Sequence, residues 1–160
     1  MSIPTQALEL ENRNNGIAGE PTLSAAYDML KTCWRSGDRD REIALHLFFL
    51  SWYGLIEPSY LTGFEDRPDI REDLNKMLAE THDYLEPLTS NDAEILYIAG
   101  LAAHLFWFMF GDAEAWRQRA LDYRTCYRML APNGIDPAVF HNRGAYGHYY
   151  AHQAGVKDGY

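Results

Sequence analysis

The stretch Phe110-Gly111-Asp112 separates two runs of apolar residues spaced for helices, and the same pair recurs at Ser36-Gly37-Asp38. A glycine closing one helical run supplies a left-handed residue without a Cβ penalty, and an aspartate just after it can cap the next helix. Each Gly-Asp pair therefore predicts a tight helix-helix corner. Two such corners predict an all-α chain built from helical hairpins.

Working outward from the corners, the apolar periodicity predicts about six helices. Leu23, Ala26, Tyr27, Leu30 and Trp34 fall on one helical face of a segment from about Pro21 to Ser36. The next segment, from Arg39 to about Ile56, carries too many large apolar residues for one stripe, so it must be covered from several sides, and Glu57-Pro58 ends it. Pro68 then predicts the first turn of an amphipathic helix carrying Ile70, Leu74, Met77, Leu78 and Leu85. Ser90-Asn91-Asp92 is a capping cluster for an almost wholly apolar helix ending at Phe110. Asp112 opens a fifth helix, stopped by Pro132-Asn133-Gly134, and Asp136-Pro137 opens a sixth that runs to about Gln153. The organisation expected is a flexible segment over 1–20, a single helical domain over 21–154 and a tail over 155–160.

Composition bounds the function. A chain of 160 residues, 47% hydrophobic and 14% aromatic, can bury a core, and its formal net charge of −9 argues against general attraction to nucleic acid or anionic lipid. The apolar run from Ile95 to Phe110 is shorter than the ~20 residues of a membrane-spanning helix. Cys33 and Cys126 lack metal-type or redox-type spacing and read as buried thiols, and no secretory leader is recognised, so the expected location is cytoplasmic.

Superposing residue 37 on residue 111 places Ala25 on Ala99, Tyr53 on Tyr127 and Pro58 on Pro132. Small apolar residues on a first helix (Ala25, Ala26, Leu30; Ala99, Ala102, Ala103), the Gly-Asp corner, an amphipathic second helix and a terminal proline resemble the tetratricopeptide repeat. The resemblance covers Leu23 to Pro58 and Asp92 to Pro132, about half the chain. It departs from the repeat at Glu42 and Trp116, where the family places a small residue, and at prolines that arrive about a turn late. It implies antiparallel hairpins in a right-handed array and a general scaffold role, with no binding residue carried over.

Two polar stripes are the candidate sites. Arg117, Arg124 and Arg128 lie at i, i+7 and i+11 of the fifth helix and can receive a carboxylate or phosphate through forked hydrogen bonds. His141, His148 and His152 have the same spacing on the sixth, which could converge imidazoles on a transition metal such as zinc. His104, among Ala103, Leu105 and Phe106, reads as a hydrogen-bonded core histidine, and Tyr146, Tyr149, Tyr150 and Tyr160 read as a contact surface. Zincin, nucleophile-elbow, phosphate-loop and dinucleotide motifs are missing from the sequence. The leading expectation is a non-enzymatic scaffold binding a protein or peptide segment, with no nucleic acid and no membrane as partner. The alternative is a metal- or small-molecule-binding bundle, an enzyme included, that uses the histidine face. Homo-oligomerisation is a third expectation.

Overall fold

The computed structural model describes residues 3–13, 21–58 and 62–156, and these are helical with no strand among them. Seven α-helices are described: α1 Thr5–Arg13, α2 Thr22–Arg35, α3 Arg41–Ile56, α4 Ile70–Leu85, α5 Ala93–Phe106, α6 Ala113–Leu130 and α7 Gly144–Gly155. Short 3-10 turns occupy Pro87–Thr89, Trp107–Met109 and Pro137–Phe140.

Both corners are present. Gly37 and Gly111 have φ of +103° and +142°, the region where a side chain is disfavoured. Asp112 accepts from the Ala115 N–H at 2.9 Å, as a capping aspartate should. At the first corner the cap is Asp40 rather than Asp38: Asp40 accepts from the Ile43 N–H, while the Asp38 N–H closes the preceding turn on the Cys33 carbonyl.

The described chain divides into two compact units, one formed by 1–84 with 142–149, the other by 85–141 with the residues from 150 onward. In the first, α3 is buried nearly all round, as an apolar helix without a wet face must be. The amphipathic α2 and α4 are tied by polar contacts. Asp73 accepts from Lys31 at 2.5 Å and from the Tyr27 hydroxyl at 2.7 Å, and Glu80 accepts from the Trp34 indole at 2.9 Å and from Arg35. Arg67 clasps Asp28 with both nitrogens. In the second unit α5 packs along α6, with Leu96, Ile98, Ala99, Tyr123, Tyr127, Phe140 and Tyr150 in the core. Each such large side chain contributes ~1.5–3 kcal/mol on burial.

Several expectations are corrected. The segment 1–20, expected to be flexible, holds α1 packed on α2, with Ala7 and Glu11 buried; 14–20 lie outside the described residues. The 3-10 turn at Trp107–Met109 replaces the last helical turn expected before Phe110. Pro68 sits in a turn, and Asp69 at φ +65° precedes α4. The sixth predicted helix is two pieces, because Asn142 at φ +60° and Gly144 at φ +64° break it. Cys33 and Cys126 are half-buried free thiols. Tyr146 and Tyr150 are fully buried, Tyr149 is half-buried, and Tyr160 lies outside the described residues.

Candidate functional site

Helices α5 and α6 lie side by side, and small residues on the facing turns leave a cavity of about 200 Å³ lined by Ala103, His104, Arg117, Ala120, Leu121 and Arg124. Ala103 and Ala120 are its buried floor. Two of the three arginines singled out from sequence, Arg117 and Arg124, share this cavity; Arg128 lies one turn further along α6, its guanidinium 5.4 Å from the centre of the Tyr127 ring. The stripe Arg117-Leu121-Arg124 follows i, i+4, i+7, so the three side chains leave α6 on one face.

Arg117 lays its guanidinium carbon 4.1 Å from the centre of the Trp107 ring, a cation-π contact that holds one end of the rim. Trp107 is placed by the 3-10 turn that ends α5. His104 is exposed at the cavity, against the expectation of a core histidine, because α5 turns its last residues toward solvent. Leu105, Phe108 and Leu121 are also exposed, the last two by 60% and 57%, and Leu121 lines the cavity between the two arginines. His104 and the small floor residues are what the sequence reading misses. Their only signal is that alanines at 103 and 120 leave room at a helix-helix contact.

The histidine stripe has a different fate. His141 closes the Pro137–Phe140 turn with its N–H on the Ala138 carbonyl, outside α7, so it loses the helical register with His148 and His152 that the sequence predicts. His148 and His152 are exposed on α7. Among the described residues no group of three or more His, Cys, Asp or Glu side chains gathers to hold a metal ion.

A second polar cluster lies in the first unit, sealed from solvent. The Glu11 carboxylate of α1 meets the His46 Nδ1 of α3 at 2.6 Å, both side chains fully buried, and accepts from the Tyr146 N–H in the first turn of α7 at 3.3 Å. A carboxylate at a helix N-terminus is favourably placed against the exposed N–H groups and the dipole. The His46 ring stacks on Tyr146 at 4.7 Å, and Arg143 clasps Glu42 with contacts of 2.8 and 2.9 Å. His46 thus pairs with Glu11 rather than with Glu42, its i−4 neighbour. With no path to solvent at either side chain, the pair is placed to lock α1 onto α3 and α7 rather than to meet a substrate.

No helix among the described residues is long and apolar enough to cross a membrane. Compared with protein-family models, with curated proteins and with solved structures, the chain matches none.

Proposed function

We propose that this chain is a non-enzymatic helical-hairpin scaffold, of the repeat-like kind its corners resemble, that captures a protein or peptide segment in the groove between α5 and α6. One observation carries the reading: Arg117 and Arg124, just under two turns apart, rim the same cavity over an apolar floor of Ala103 and Ala120. Guanidinium groups give orientation and charge-assisted hydrogen bonds, while an apolar floor supplies the burial that makes a contact worth more than a surface ion pair. Two half-buried, unbridged cysteines fit a reducing compartment, and we place the protein in the cytoplasm.

Selection of binders from a random peptide library tests this. Peptides enriched on the wild-type protein are expected to lose binding to Ala120→Trp, which fills the groove, and to the exposed pair Arg117→Glu with Arg124→Glu, with circular dichroism confirming that both variants stay helical. Failure to enrich any peptide, or enrichment indifferent to both variants, overturns the scaffold reading.

A further inference from the structure

We infer that the occupant of the α5–α6 groove is an acidic amphipathic helix, with carboxylates at i and i+7 and a large aliphatic side chain at i+3 or i+4 between them. This rests on the scaffold reading of the same groove and adds the chemistry of the partner.

The register argues for a helix. Arg117 and Arg124 are seven residues apart on α6, about 10.5 Å along its axis at 1.5 Å per residue, and they lie within about 20° of one line at 100° per residue. A second helix lying alongside has the same rise, so carboxylates at i and i+7 meet both arginines. An extended segment fits less well, because side chains on its near face recur about every 6.6 Å and bracket that spacing without matching it.

The cavity between the arginines argues for one aliphatic anchor. Its volume of about 200 Å³ opens over Ala103 and Ala120 beside the exposed Leu121. At ~30 Å³ per water that equals about seven solvent molecules, which is room for one large apolar side chain, leucine and methionine among those that fit. Such a residue at i+3 or i+4 of the incoming helix lies on the same stripe as the two carboxylates.

Charge complementarity argues for acid. The chain carries a formal net charge of −9, yet the face of α6 that carries Arg117, Arg124 and Arg128 has one carboxylate of that helix beside it, Glu114, while Arg119 and Asp122 lie well round the helix. A positive strip on an acidic protein favours a negative partner at contact range and disfavours basic ones, which discriminates among helices of similar apolar character.

The probe is a fluorescein-labelled alanine-rich helix of about five turns bearing Glu at i and i+7 and Leu at i+3 and i+4, followed by anisotropy. The neutral counterpart has Gln in place of both Glu. Wild-type protein is expected to bind the Glu peptide about tenfold more tightly than the Gln peptide, equivalent to ~1.4 kcal/mol. The ratio should collapse in Arg117→Gln with Arg124→Gln, and the charge-reversed pair Arg117→Glu with Arg124→Glu should prefer a Lys-bearing version. Equal binding of Glu and Gln peptides, lost together in Ala120→Trp, overturns the acidic partner while the groove stands. Binding of neither peptide at ~1 mM, with other peptides emerging from library selection, overturns the inference alone; failure of both experiments removes the scaffold reading too. Arginine-dependent binding of phosphatidylserine vesicles, or arginine-dependent dimerisation, without peptide binding also overturns it.

Discussion

Glu11 packs so closely on Gly144 that no side chain fits at position 144: a Cβ built there would sit 2.9 Å from the Glu11 Cβ and 3.0 Å from its carboxyl carbon. Glycine is required twice over, since φ at Gly144 is +64°. Gly144→Ala is expected to cost ~1–2 kcal/mol from the backbone alone, with a further loss from displacing Glu11. Urea unfolding of the single variants and of Gly144→Ala in a Glu11→Gly background, which removes the Glu11 Cβ together with its carboxyl, separates the two. A penalty unchanged in the second background would show that the crowding is relieved elsewhere.

Removing one member of the Glu11–His46 pair leaves the other buried without its partner. Glu11→Ala or His46→Ala should lower stability by ~1–3 kcal/mol, whereas replacing both with apolar residues of similar size, Glu11→Leu with His46→Phe, should recover most of it. Denaturant midpoints decide the matter, and single variants within experimental error of wild type would mean that α1 is held by its apolar contacts instead.

Acid should loosen the link between α2 and α4. Burial raises the Asp73 carboxyl, but hydrogen bonds from Lys31 and Tyr27 outweigh it and hold the group below the usual carboxylate range. Glu80 behaves alike, burial being outweighed by Trp34 and Arg35. A folded pKa below the unfolded one stabilises fully above the ordinary carboxylate value of ~4, and that contribution drains away as pH falls through the folded value. Melting temperature against pH should therefore drop below pH ~4, and Asp73→Asn with Glu80→Gln should flatten that limb.

The alkaline limb has its own owner. Burial, reinforced by Tyr53 and Glu57, pushes Tyr149 up to about 12. Here the folded pKa lies above the unfolded one, so the contribution is complete below ~10 and is lost as pH rises toward the folded value. Tyr149→Phe should give a shallower loss of stability over that range by fluorescence-monitored unfolding. A slope equal to wild type would assign alkaline unfolding to other groups, with Tyr27, also raised by burial and by Asp73, the next to replace.

What was legible in the sequence was local chemistry with a fixed geometry. Gly37 and Gly111 mark corners because only glycine is comfortable at their φ, and Asp92 and Asp112 mark helix starts because their carboxylates satisfy N–H groups that the helix cannot. Arg117 and Arg124 share a groove because helical spacing alone aligns them. What was hidden depends on partners distant in the chain. A short helix at Thr5–Arg13 that buries a glutamate defeats any reading by apolar period, since Glu11 counts as surface until His46 and the α7 N-terminus are brought to it. The sequence puts His141 inside a helix because Asp136-Pro137 caps a 3-10 turn with the same residues that cap an α-helix.

The first unit is assembled from residues 1–84 and 142–149, with 85–141 assigned to the other. On the ribosome, then, Glu11 emerges long before Tyr146, whose N–H it accepts from, and a nascent chain must hold a solvated carboxylate and an unclosed first unit until residues 142–149 are translated. The α5–α6 pair, local in sequence and complete by Leu130, can form while that unit is still waiting.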